Sequence, residues 1–200
     1  NHLEIVAGIN PELSQYYLQP KETFTTPEFI FTYSTEGKGG VSRNLHRWAR
    51  NYHIIGGTEP RDILLNSWEG VYFNVNQEGM NQMMQGFAEI GGELFVMDDG
   101  WFGDKYPRNN GESSLGDWVV CEKKLPEGIG ALIDEAERNN LKFGIWIEPE
   151  MCNTKSELYE KHPDWVLRHP DFEPTYGRGK TQLIFDLTNP KVQDHVFKVV

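Results

Sequence analysis

From about residue 57 onward, apolar runs of strand length alternate with amphipathic stretches of helical length. Leu94-Phe95-Val96-Met97 is a continuous apolar run with aromatic and β-branched members, the pattern of a strand buried on both faces. Ile63–Trp68 and Leu141–Ile147 repeat that pattern. Gln77–Ile90 carries Met80, Met83, Met84 and Phe87 at helical spacing, and Gly91-Gly92 stops it. Those methionines read as core filler rather than as a cofactor or metal box. Gly128–Asn139 is a second helix, with Ile129, Leu132, Ile133 and Ala136 as its apolar face. Further on, Glu157–His162 predicts a short helix stopped by Pro163. Trp165–Arg168 and Gln182–Leu187 read as two arms of a hairpin, and Thr188-Asn189-Pro190 opens a last helix running to Val200.

The first 35 residues have a different pattern. Leu3–Ala7, Tyr16–Leu18 and Phe29–Tyr33 are strand-like, with Pro11, Pro20 and Pro27 between them. So few strands make no stable sheet alone. Residues 1–40 are therefore expected to be the C-terminal part of a β-sandwich domain lying mostly upstream. Glu36–Gly40 is a glycine-rich break. Ser42 is placed as the cap of a helix over Arg43–Tyr52, so that residues 41–57 form a connecting helix and linker.

Strand–helix alternation implies parallel strands joined by crossovers. No glycine-rich phosphate loop follows any strand, which disfavours a nucleotide-binding doubly wound sheet. The expected class is α/β, with residues 58–200 as the N-terminal part of a (β/α)8 TIM barrel holding its first three strands. A whole barrel takes ~250 residues, so this chain reads as a segment of a larger protein.

Net charge is −11, the wrong sign for the cationic footprint that nucleic acid requires. No stretch has the length of a membrane span. The opening NHLEIVAGIN lacks the basic and apolar regions of a signal peptide, although a segment cut from a longer chain leaves the compartment open. Cys121 and Cys152 belong to no CxxC pair or Cys/His cluster and are expected to be inert. No cofactor or metal is implied.

The candidate chemistry lies where the strands end. These ends read Trp68-Glu69, Asp98-Asp99-Gly100-Trp101, and Trp146 followed by Glu148 and Glu150. In a barrel the C-terminal strand ends share one rim, where binding and catalysis occur. Adjacent carboxylates beside indoles are poor packing groups. They suit a polar ligand with a flat apolar face. Side chains that are neighbours on a strand point opposite ways, so both carboxylates reach one ligand only if the chain bends, which Gly100 permits. A surface turn and a metal pair are the bland alternatives. The four-residue buried run disfavours the first, and the lack of a nearby histidine disfavours the second. Glu148 and Glu150 are too close in sequence for a catalytic pair placed ~5 Å or more apart across a sugar, and read as structural.

Several motifs in order resemble glycoside hydrolase family 36, the microbial α-galactosidases. They are ILLNSWEGVYFN at 63–74, ELFVMDDGWFG at 93–103, SSLGDW at 113–118, KFGIWIEPEM at 142–151, HPDWVL at 162–167 and GRGKTQLIFDL at 177–187. The resemblance covers nearly the whole chain. It implies retaining hydrolysis of terminal α-linked galactose from raffinose- or melibiose-type oligosaccharides. It also implies that Asp98 and Asp99 hold sugar hydroxyls, chiefly O4 and O6. Trp68 and Trp146 then line the sugar pocket, Arg178 completes its wall, and Trp101 and Trp118 flank it. In that family the nucleophile lies in a KWD-type motif after the fourth strand, and the acid/base carboxylate lies later still. Neither motif occurs here, so no catalytic residue is expected in this chain. The resemblance further implies an α-galactoside oligosaccharide as partner and a full-length protein that assembles as a homo-oligomer. A non-catalytic carbohydrate-binding module and a raffinose-family galactosyltransferase remain open alternatives.

Overall fold

The three apolar runs form one parallel sheet. In the computed structural model, which describes residues 4–9, 16–169, 171–174, 176–177 and 179–200, β1 (Leu64–Asn66), β2 (Leu94–Met97) and β3 (Lys142–Ile145) pair in the order β1-β2-β3. Leu65 lies opposite Phe95, and Phe95 opposite Phe143. The crossovers are α3 (Gln77–Glu89), which follows the one-turn helix α2 (Trp68–Val71), and α4 (Gly128–Arg138). This is the arrangement of a partial (β/α)8 barrel.

Local chemistry explains the ends of α3. The Asn76 side chain accepts from the Gly79 N–H at 2.8 Å and caps the first turn. After the last turn Gly91 takes φ +85°, and Gly92 leaves no room for a side chain, because a Cβ there would lie 2.3 Å from the Phe87 ring. Met80, Met84 and Phe87 of α3 pack with Leu132 and Ala136 of α4 against Phe95 and Met97 of β2. The methionines are thus core filler, as their spacing predicts. β2 is buried on one face only: Phe95 and Met97 are inaccessible, whereas Leu94 and Val96 are half-buried. The expectation of burial on both faces is corrected accordingly, since α3 and α4 cover only the Phe95/Met97 side.

A second small core follows. β4 (Met151–Asn153) pairs antiparallel with β5 (Gln182–Ile184), Cys152 opposite Leu183. The expected hairpin between 165–168 and 182–187 shrinks to one bridge, Val166 with Phe185. Pro163 is the reason. It starts a 3-10 turn over Pro163–Trp165 that takes Trp165 out of strand geometry, so this arm pairs only around Val166, on the edge of β5 opposite β4. Trp165, Val166, Leu183 and Phe185 pack with Cys152, Leu158 and Val192. Here α5 (Glu157–Lys161) is anchored by Asp117, whose two carboxylate oxygens accept the Glu157 and Leu158 N–H groups, each at 2.9 Å. The last helix, α6 (Pro190–Val199), is capped by Asn189, which accepts from the Lys191 N–H.

Residues up to Pro60 form a separate compact unit, and those from Arg61 onward form the unit just described. In the first unit α1 (Gly37–Trp48) runs into a single π-type turn, Ala49–His53. It begins six residues before the expected start at Arg43, so Ser42 lies inside the helix rather than capping it. The Arg43–Glu36 ion pair spans the first turns that the glycine-rich run was expected to break. Tyr16–Leu18 and Phe29–Tyr33 run without strand pairing among the described residues, and Phe31 and Tyr33 are largely exposed. Strand-forming side chains supply no hydrogen-bond partners of their own, and prolines interrupt the edges they would offer.

Two predictions follow from this packing. Asp117→Ala removes the acceptor for two N–H groups at the start of α5, and should lower the unfolding free energy by about 1–2 kcal/mol in urea titrations. A shift within error of zero would mean that α5 docks without it. Cys121 and Cys152 are both buried, and burial pushes the Cys152 thiol up to about 12. Neither should react with a disulfide-exchange reagent at neutral pH until denaturant is added. Rapid labelling of the native protein would show that a thiol is reached.

Candidate functional site

Parallel pairing brings the polar ends of β1, β2 and β3 to one rim. The Asn66 side chain at the end of β1 donates to Asp98 Oδ2 at 2.6 Å. Asn66 Oδ1 accepts from the Trp68 N–H at 2.8 Å, which holds the start of α2 beside the diacid. The Asp98 N–H donates to Ser67 Oγ, and Asp98 Oδ1 accepts from the Asp99 N–H. Asp98 is thus tied to β1 on both sides yet stays half-exposed. Each of its oxygens accepts one such bond, which leaves lone pairs for a ligand.

Asp99 has a different environment. It is only 6% exposed, and Arg108, 2% exposed, grips it as a fork. Arg108 Nε donates to Asp99 Oδ1 and Nη2 to Asp99 Oδ2, both at 2.8 Å. Arg108 Nη1 donates to the Ser113 carbonyl and to Asn153 Oδ1. Asn153, fully buried, donates in turn to the carbonyls of Gly111 and Thr181 and accepts from the Leu115 N–H. One network therefore joins the end of β2, the long excursion at 102–126, β4 and the approach to β5.

A second cation fixes the backbone beneath. Lys124 Nζ donates to the carbonyls of Phe73, Gly100 and Arg108 at 2.7, 2.8 and 2.8 Å. Desolvation pulls its ammonium below the ordinary lysine range. Gly100 takes φ +113°, and a Cβ there would lie 3.0 Å from Phe73 Cα, so the bend after the diacid needs glycine twice over.

These groups border a cleft of about 720 Å³. Trp68, Phe73, Asp98, Asp99, Arg108, Trp146 and Glu148 line it. Gly111 and Glu112 of the excursion and residues 179–182 complete it. Trp68 packs edge-on against Tyr72 and Phe73. The Trp146 N–H donates to the Met97 carbonyl, and its own carbonyl accepts Trp101 Nε1–H at 3.0 Å. The cleft thus combines carboxylate acceptors with indole surface.

The structure brings Trp68, Asp98, Asp99 and Trp146 together on that cleft. Arg178 lies outside the described residues. Trp101 and Trp118 stand behind Trp146, packed on Phe102 and one another, rather than on the cleft wall. Glu148 does line the cleft. The sequence reading missed Arg108, Lys124 and Asn153. For Arg108 a signal existed: a buried carboxylate needs a cation, and arginine is the one whose fork matches it. No comparable signal marks Asn153, which follows only the short apolar pair Met151-Cys152 and precedes Thr154-Lys155.

Comparison with known proteins agrees with this arrangement. The chain is 43% identical to a probable α-galactosidase C of Aspergillus flavus, an alignment covering 94% of this chain and 26% of that protein. It is 41% identical to the α-galactosidase AgaA of Geobacillus stearothermophilus, over 96% of this chain and 26% of that one. The crystal structure of an AgaA variant in complex with stachyose superposes with a TM-score of 0.82 at 41% identity, covering 90% of this chain and 25% of that chain. The α-galactosidase of Lactobacillus brevis superposes with a TM-score of 0.85 at 37% identity, covering 96% of this chain and 25% of that chain. The chain therefore spans about a quarter of the length of the relatives it matches. Residues 23–200 match the Melibiase family pattern, and the chain belongs to the Melibiase family.

Proposed function

We propose that this chain is the sugar-gripping part of a retaining α-galactosidase, which removes terminal α-linked galactose from raffinose- or melibiose-type oligosaccharides. One observation carries the reading: a half-exposed carboxylate, Asp98, and a buried one, Asp99, line one cleft together with Trp68 and Trp146. Carboxylates accept short charge-assisted hydrogen bonds from hydroxyls, and indoles offer apolar surface to the ring. Structures of AgaA variants in complex with stachyose and with raffinose support an α-galactoside as the ligand class.

On this reading Asp98 and Asp99 hold hydroxyls of the galactose ring, chiefly O4 and O6, and Trp68 and Trp146 line its pocket. Arg178 closes the wall. None of residues 1–200 is the nucleophile or the acid/base group. Two carboxyls flanking the scissile bond, ~5 Å apart for retention, come from the rest of the protein. Residues 1–40 close a β-sandwich domain, 41–57 connect it, and 58–200 open the catalytic barrel.

The full-length protein should turn over p-nitrophenyl α-galactoside and leave the β-galactoside and the α-glucoside nearly untouched. Binding of galactose without turnover of any of the three would favour a non-catalytic carbohydrate-binding protein. The 200-residue chain by itself should show no turnover; measurable hydrolysis would place the missing carboxylates within it. In the full-length protein Asp98→Asn should lower kcat/KM by roughly tenfold to hundredfold, the loss expected when hydrogen bonds to a charged group are weakened. Wild-type kinetics in that variant would remove Asp98 from the site.

A further inference from the structure

We propose that Arg108 is a positioning residue: it sets the rotation of the Asp99 carboxylate and so decides how strictly the site demands the hydroxyl that Asp99 holds. The inference rests on the α-galactosidase reading above and deepens it.

The geometry is that of a rigid holder. A carboxylate at the end of a strand can turn about its last bond, and its lone pairs turn with it. In Asp99 both oxygens are engaged by one planar guanidinium at 2.8 Å, so the carboxylate plane is fixed to the guanidinium plane. Each oxygen retains a lone pair, because a carboxylate has about four acceptor positions and Arg108 occupies two of them. The fork therefore leaves acceptors for a ligand and chooses their direction.

The holder is itself held. Four of the five N–H groups of Arg108 are used, two on Asp99 and one each on the Ser113 carbonyl and Asn153 Oδ1. Its backbone is fixed too, because the Arg108 N–H donates to the Phe102 carbonyl and the Arg108 carbonyl accepts from Lys124 Nζ. The guanidinium also lies 5.4 Å from the Phe73 ring centre and 5.6 Å from that of Phe102. A lysine could neutralise Asp99 but could not clamp both oxygens in one plane. Among the described residues Asp98 has no such clamp. Its partners are an amide side chain and a backbone N–H, and it is half-exposed.

The test is a comparison of substrates in the full-length protein. Arg108→Lys and the wild type are assayed on p-nitrophenyl α-galactoside and on its 4-deoxy and 6-deoxy analogues. On the parent substrate Arg108→Lys should lose roughly tenfold or more in kcat/KM. On the analogue lacking the hydroxyl that Asp99 holds, most of that loss should vanish, because nothing remains to be oriented. In an Asp99→Asn background the same change should add little. An equal loss on all three substrates, or no loss on the parent, would overturn the proposal and leave Arg108 a purely structural residue. If Arg108→Lys does not fold, Asn153→Ser, which loosens Nη1 and leaves the Asp99 fork, should show the same substrate pattern at smaller amplitude. A uniform loss there would overturn the proposal equally. If the wild type turns over none of the substrates, the α-galactosidase reading fails and this inference falls with it. Failure of the proposal alone leaves wild-type turnover intact.

Discussion

The pairing of β2 on both of its edges is the constraint from which the site follows. A strand hydrogen-bonded on each side cannot slide without breaking two ladders, and a one-residue slip would turn Phe95 and Met97 out of the core. The register therefore fixes where the apolar run stops. It stops at Asp98, one residue after Met97, and it brings Ser67 and Trp146 alongside: the Ser67 N–H bonds to the Val96 carbonyl and the Trp146 N–H to the Met97 carbonyl. The cleft is a consequence of where three strands run out of apolar residues together.

Placing two carboxylates at that point creates an electrostatic problem, and the long excursion answers it. An isolated buried charge is strongly unfavourable, and an ion pair offsets that only with excellent geometry and satisfied hydrogen bonds. Residues 102–126 supply both Arg108 and Lys124. Each is engaged at several N–H groups by acceptors from different segments. The excursion is accordingly no free lid. Leu115 and Leu125 are wholly buried, Phe102 bridges to Val120, and Ser113 bridges to Lys155. Its polar composition reflects the turns it must make, and its few apolar residues anchor it.

What the sequence made legible was local. The three strands, α3, α4 and α6 lie close to where periodicity puts them, and the strand-end residues Trp68, Asp98, Asp99 and Trp146 share one cleft because parallel pairing requires it. Contacts between segments far apart in the chain were not legible. Arg108 reaches Asn153 across 45 residues, and Lys124 reaches Phe73 across 51. No periodicity encodes such contacts. The second partner of β5 was not legible for the same reason: the 165–168 segment meets one edge of β5 through the Val166–Phe185 bridge, and β4 takes the other edge. Near the N-terminus, Phe29–Tyr33 has the composition of a strand, but composition supplies no partner edge.

The two aspartates, identical in type and adjacent in sequence, end up in unlike surroundings, and the turn that follows β2 separates them. β2 ends at Met97 and Asp99 already lies in the turn with Gly100, so the two carboxylates leave the strand end differently, one buried and one at the rim. Gly100 carries that turn, with its φ of +113° and Phe73 packed against the space where a side chain would be. The inward carboxylate could be kept only with a planar cation beside it. Among the described residues the outward one is held by an amide and a backbone N–H. The cleft therefore offers one carboxylate clamped in the plane of a guanidinium and one held by single hydrogen bonds. Under the reading proposed above, a clamped acceptor exacts a particular direction of approach, which would put discrimination between ring hydroxyls on Asp99.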